Sequence, residues 1–383
     1  MKKILISGWY GYKNLGDEVI LDSIKKTIES ELGYTCVALS NDPDFTKQYN
    51  NIKACRHLPY GLMAWVISLV KFRFFRTLIE FMQSDIILVG GGGFLSDWQP
   101  EAPWIWLRQA VLAKLLKKKV ILYGIGAGPI RTKAGSRLIS KIINCCVDKV
   151  TLRDQESFDQ LVSSGVRGSK LIVTEDPVYS RGFRPHDDIK KDTVGISLAP
   201  LFNNEKFWKG SKNLYTNYVN EFSNFIVSLD KLGKKVTFIA MQSIDRVVYQ
   251  DLCTQLGRSL PLWEGGKNLS GDLEGFGKFE VVVAMRLHAG ILAAQGGSLV
   301  IPIIYHHKVE QFAAKIQVLK FAHHLGDGGN WKKSKISAKD LLSSYLEATK
   351  NLDSCLNQIE SSIENLKHNE KQNGFVLKEL AIK

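Results

Sequence analysis

Short apolar runs alternate with amphipathic stretches over nearly the whole chain, and this constrains its fold more than any other feature. KKILIS, TCVALS, DIILV, VILYGIG, KVTLR and KLIVTEDP read as strands. Between them Asp17 to Leu32, Trp104 to Leu116, Lys133 to Cys146 and Gln155 to Ser163 carry helical spacing. Parallel strands need a crossover connection, and strands covered on both faces are apolar along their length, so this alternation implies parallel sheets clothed by helices. The pattern breaks at the polar segment Tyr179 to Asp192, which holds Gly182 and Pro185, and restarts with TVGISLAP. A helix over Leu214 to Leu232, the strand VTFIAM, a helix over Asp245 to Leu256, the strand FEVVVAM, a helix opening near Ala289 and the strand LVIPIIY follow. The expected fold class is α/β, with two Rossmann-like parallel-sheet domains facing a cleft. Residues 1–180 form the first domain and 193–330 the second, while 331–383 is a helical tail able to cross back to the first. Ligands in such sheets bind beyond the carboxyl ends of the strands.

At 383 residues the chain is long for one core, which agrees with two domains. Its 51 basic and 38 acidic residues leave a net charge of +13, suited to an anionic partner: a phosphorylated donor, a lipid phosphate or an acidic membrane surface. No nucleic-acid-binding signature is present, so no nucleic acid is expected. The six cysteines form no CxxC pair and read as buried thiols of a reducing, cytoplasmic setting. No run approaches the roughly 18 apolar residues of a membrane span. The segment Leu62–Arg76, LMAWVISLVKFRFFR, is instead open to two readings: a helix packed on the core, or a peripheral contact at the inner face of the plasma membrane.

Several motifs sit at strand ends. Gly8-Trp9-Tyr10-Gly11 leads to Asp17, a candidate substrate contact, and Glu18, acids that also suit the positive end of the next helix; the spacing is neither GxGxxG nor Walker A. Gly90 to Gly93 follow DIILV, and their backbone, at Gly91 and Gly92 especially, can approach a ligand or serve tight strand–helix packing. Trp98, Trp104 and Trp106 nearby can receive a sugar face or fill the core. Arg153 ends KVTLR, where it can grip a carboxylate or phosphate, or pair with Asp154 or Glu156. Met285-Arg286-Leu287-His288 is the most informative: an apolar strand ends in a permanent cation and a group able to exchange a proton near neutral pH. Tyr305-His306-His307-Lys308 follows another strand, with His306 and Lys308 as candidate anion contacts. No metal-ligand spacing is completed, and no metal or cofactor is expected.

Taken in order, GYKNLGDE, GGGGFLSD, YGIGAGP, LRDQES, EDPV, MRLHA and YHHKVEQF resemble the polysaccharide pyruvyl transferases, over most of the chain from Gly8 to about Phe312. The resemblance implies a two-lobed fold similar to GT-B, with the acceptor on the first domain and the donor on the second. It implies transfer of pyruvate from phosphoenolpyruvate, a substrate rather than a cofactor, onto a saccharide acceptor that can be lipid-linked. It carries donor contacts onto Arg286 and His288, with Arg153 as a third; Ala199 stands where some relatives present an arginine. A GT-B glycosyltransferase using a nucleotide sugar, and a non-catalytic glycan- or lipid-phosphate-binding protein, are the alternatives.

Overall fold

The computed structural model describes residues 2–97, 99–185, 190–203, 212–266, 268–276, 278–325 and 336–382; Trp98 and residues 186–189 of the polar segment lie outside them. The chain divides into two compact units, Met1–Arg181 with Leu366–Lys383, and Gly182–Asn365.

The first unit is built on β1 (Lys3–Ser7), β2 (Thr35–Ser40), β3 (Lys53–Arg56), β4 (Ile86–Leu95), β5 (Lys119–Ala127), β6 (Lys149–Leu152) and β7 (Leu171–Val173). They pair in the order β3-β2-β1-β4-β5-β6-β7, all parallel. Its helices are α1 (Leu15–Leu32), α2 (Pro43–Asn50), α3 (Leu62–Val70), α4 (Arg73–Gln83), α5 (Ala102–Leu115), α6 (Lys133–Cys146) and α7 (Gln155–Ser163). Local chemistry sets their ends. Asn14 caps α1 by accepting from Gly16, and Gly33 closes it in the left-handed conformation. Thr132 and Asp154 cap α6 and α7 in the same way. Leu5, Leu39, Val89, Leu122 and Val150 present one face of the sheet to Phe81 of α4, Leu107 and Ala110 of α5 and Ile139 and Ile143 of α6 in one buried cluster.

The second unit is built on β8 (Lys190–Ser197), β9 (Lys235–Ala240), β10 (Leu262–Glu264), β11 (Phe279–Ala284), β12 (Leu299–Ile304) and β13 (His323–His324), in the order β10-β9-β8-β11-β12-β13 and again all parallel. Its helices are α8 (Lys212–Lys231), α9 (Arg246–Leu256), α10 (Leu269–Phe276), α11 (Leu287–Gln295), α12 (His307–Lys315) and α13 (Ala338–Lys350), and α14 (Leu352–Ile382) follows. Residues of α14 up to Asn365 belong to this unit and those from Leu366 to the first. Inside the first unit Asn373 receives a hydrogen bond from Thr174 at 2.8 Å and donates to the Glu175 carbonyl at 2.9 Å, which ties the helix to the end of β7.

Both sheets wind outward in two directions from a central pair, β1/β4 in the first and β8/β11 in the second. At such a switch point the connections leave toward opposite sides, and a crevice opens beyond the strand ends. The glycine motifs after β1 and in β4 and the MRLH motif fall there, while Arg153 follows β6 and Tyr305 to Lys308 follow β12. β4 continues past DIILV through Gly90–Gly93 to Leu95, slipping register against β5 after Gly92, and β5, read from the sequence as VILYGIG, runs through Gly124 and Gly126 to Ala127.

Candidate functional site

In the first unit the β1/β4 switch point is packed from within. The Tyr10 hydroxyl donates to the Gly90 carbonyl at 2.7 Å, and Gly11 N–H donates to Glu18 Oε1 at 2.8 Å. Gly91 is buried at φ +75°, and a Cβ there would stand 2.0 Å from Ile20 Cγ2 of α1. The glycine is therefore required by close strand–helix packing, one of the two roles open to it from the sequence; Gly92, at φ +96°, is buried as well. Gly91→Ala is expected to lower stability by roughly 2–3 kcal/mol, from a left-handed backbone and overpacking combined, measured by denaturant unfolding.

Asp17 and Glu18 occupy the first turn of α1, both buried. Sequence reasoning singled out Asp17 as the candidate substrate contact, yet Glu18 is the unusual one. Its Oε2 is buried without a hydrogen-bond partner, and burial, opposed by the Gly11 N–H and reinforced by Asp17, pushes its pKa up to about 8. Glu370 of α14 is likewise pushed up to about 8, first by burial. Half-buried His57 moves the opposite way, down to about 4, because desolvation and Arg108 disfavour its charge. Between the ordinary glutamate value and pH 8 the folded chain keeps protons on Glu18 and Glu370 that the unfolded chain releases, so these groups make stability fall as pH rises. The His57 contribution, which rises with pH, is complete by about pH 6.5. The melting temperature is therefore expected to drop from pH 6.5 to 8, and Glu18→Gln to recover up to about 2 kcal/mol across that window.

Arg153 ends β6 and is almost wholly buried. Its Nη1 lies 2.9 Å from Asp176 Oδ2 and its Nε 3.7 Å from Asp154 Oδ2. Gly126 makes room for it, since a Cβ there would meet the guanidinium at 2.8 Å. The Asp154 partner was foreseeable; the closer one, Asp176 of the EDP segment, was not. The same unit gathers aromatic groups the glycine motif had overshadowed. Trp9 stacks on Tyr12 with centroids 4.1 Å apart and meets Trp106 at 5.6 Å. Arg108 lies 5.3 Å from the Tyr60 ring centroid and donates to the Leu58 carbonyl at 2.7 Å. Trp9, Tyr12, Tyr60 and Trp104 are exposed, whereas Trp106 is a core residue.

In the second unit β11, apolar and buried, delivers its last residues beside the end of β8: Met285 N–H donates to the Ser197 carbonyl at 2.8 Å. Ala199 is sealed into this junction, its N–H on Met285 Sδ at 3.2 Å and its carbonyl receiving the Tyr218 hydroxyl at 3.1 Å. Arg286 then occupies the N-cap of α11, and His288 lies in that helix's first turn. The Arg286 guanidinium forms an ion pair with Asp245, whose side chain is wholly buried and also accepts from Met241 N–H at 3.1 Å. Burial works against the Arg286 charge, but Asp245, with Tyr305 and Tyr218, outweighs it and holds the cation firmly on. Asp245 is thus a positioning residue that sequence reasoning missed, having read it only as the start of a helix.

The neighbouring strand β12 is followed by Tyr305, with His306 at the N-cap of α12 and Lys308 in its first turn. His306 Nδ1 accepts from Lys308 N–H at 3.3 Å, so one ring nitrogen of the expected anion contact serves the helix cap. Two helix N-termini, α11 and α12, thus open at the ends of adjacent strands together with Arg286, His288 and Lys308, an arrangement that favours an anion. A cavity of 470 Å³ lies elsewhere in the unit, at β10 and α10; its lining includes Trp263, Glu264 and Asp272, which suits a carboxylate or phosphate poorly. Among the described residues no group of three His, Cys, Asp or Glu side chains could hold a metal ion.

The family model described as "Polysaccharide pyruvyl transferase" matches residues 14–307. No curated relative matches significantly. Among solved structures, UDP-GlcNAc 2-epimerase from Neisseria meningitidis bound to UDP-GlcNAc is 13% identical, with TM-score 0.61 and coverage of 100% of both chains. Anabaena Alr3699/HepE in complex with UDP is 12% identical, with TM-score 0.58 and 99% of each chain covered. A glycosyltransferase from Rickettsia africae is 14% identical, with TM-score 0.56, covering 100% of this chain and 97% of that one. At these identities the likeness is one of fold, two parallel-sheet α/β domains of GT-B-like type.

Proposed function

Because the chain belongs to the polysaccharide pyruvyl transferase family, we propose that it moves pyruvate from phosphoenolpyruvate onto a sugar of a polysaccharide or its lipid-linked precursor, forming a pyruvate ketal. The observation that carries this reading is the delivery of Arg286 and His288 by one strand end at the switch point of the second sheet, with Arg286 oriented by buried Asp245.

Phosphoenolpyruvate carries a carboxylate and a phosphate on an enol carbon. Ketal formation adds a proton to its methylene carbon, which becomes the methyl group. One sugar hydroxyl attacks the adjacent carbon, a second displaces phosphate, and of the two hydroxyl protons released one balances that uptake and the other leaves on phosphate. Arg286 offers a two-pronged contact to one of the donor's anionic groups, and the α11 and α12 N-termini with Lys308 suit the other. His288 is the proton donor to the methylene carbon. Arg153, charge-balanced by Asp176, has the lesser claim on the donor. For the acceptor, the exposed Trp9–Tyr12 stack offers an apolar face to a sugar ring. A thermal-shift series tests the donor: phosphoenolpyruvate should raise the melting temperature with concentration. Stabilisation by a nucleotide sugar and none by phosphoenolpyruvate would turn the reading toward glycosyl transfer.

A further inference from the structure

The α3–α4 segment of the first unit is apolar on the outside. Of the nine residues in α3, LMAWVISLV, only Ser68 is buried, while Leu62 is 84%, Met63 71% and Val70 72% exposed. Phe72, in the turn to α4, is 67% exposed, and Phe75 and Ile79 continue the surface along α4. A helix that is hydrophobic all round belongs in a core or against lipid, and here most of it faces outward. Its charges have one sign. Lys71, Arg73 and Arg76 punctuate the segment, and from His57 to Ile79 there is no acidic residue. The first acid after them, Glu80, is buried and held by Lys3 and Lys53 at 2.5 and 2.6 Å.

We propose that α3 and the start of α4 form a docking surface for an anionic phospholipid bilayer, lying in its interface with Leu62, Met63, Val70 and Phe72 among the acyl chains and Lys71, Arg73 and Arg76 at the phosphates. Charge selects this occupant. A second copy packed symmetrically would set like cations against one another with no acid of the segment to pair them, whereas anionic headgroups complement all three. The net charge of +13 adds long-range attraction to the same surface. No helix among the described residues is long and apolar enough to cross a membrane, so the contact is peripheral. The inference is independent of the donor assigned above.

The test is co-sedimentation of the full chain with vesicles of phosphatidylcholine, with and without phosphatidylglycerol. The protein should pellet with the phosphatidylglycerol vesicles and be released in part by salt. Lys71→Ala/Arg76→Ala should weaken that binding about twenty-five-fold, near fivefold per cation. Leu62→Glu/Val70→Glu should abolish it while preserving the melting temperature, since both side chains are exposed. Failure of the wild-type chain to bind phosphatidylglycerol vesicles, or binding indifferent to both double variants, would overturn the proposal. So would size-exclusion chromatography showing a dimer that Leu62→Glu/Val70→Glu splits.

Discussion

Arg286→Lys is expected to lower kcat with phosphoenolpyruvate by about 10²–10³-fold, the usual cost of losing one charge-assisted contact in a desolvated site. Lysine keeps a positive charge against buried Asp245, so the fold should survive. It lacks the planar fork that holds two anionic oxygens at once, so donor orientation should not. His288→Ala should give a loss of similar size by a different route, removing the proton supplied to the methylene carbon. Steady-state phosphate release separates the two: Arg286→Lys should also raise KM for phosphoenolpyruvate, while His288→Ala should act mainly on kcat. Near-normal turnover in either variant, with an unchanged melting temperature, would remove that residue from the donor site.

The second large effect falls on Asp245. Its carboxylate is wholly buried and paired with a guanidinium that keeps only 22% of its side chain exposed. Removing one partner of such a pair leaves the other desolvated and unbalanced, a cost of about 3–5 kcal/mol. Asp245→Ala should sit near the lower end, about 3 kcal/mol, because Arg286 retains some solvent. Asp245→Asn can still accept from Met241 N–H but cannot balance the cation. It should fold, bind phosphoenolpyruvate more weakly through a higher KM, and lose less in kcat than Arg286→Lys. A stability loss with kinetics untouched would make the pair a structural tie only.

The strand–helix alternation was legible because central strands, buried on both faces, are predominantly apolar. TCVALS, FEVVVA and LVIPII are β2, β11 and β12. The segments that escaped notice lie largely at sheet edges: β3, β10 and β13 are short and half-exposed, so no continuous apolar run marks them. The glycine runs were ambiguous for a physical reason. Glycine frees the backbone for a ligand and for close packing alike, and only the position of Ile20 over Gly91 decides between them. Partners distant in sequence were equally hidden. Asp176 lies 23 residues beyond Arg153, and Asp245 lies 41 residues before Arg286, so neither pairing has a local signature. MRLH could be singled out because an arginine and a histidine directly follow a largely apolar strand, and the structure places both at the start of α11.

The measurement that bears most directly on the central claim is incubation of the enzyme with phosphoenolpyruvate and a panel of saccharide acceptors, followed by mass spectrometry and phosphate determination. The account predicts one acceptor gaining the mass of a pyruvate ketal, with one phosphate released per ketal and no gain for His288→Ala. Transfer of a sugar from a nucleotide donor, with phosphoenolpyruvate left intact across the panel, would contradict it.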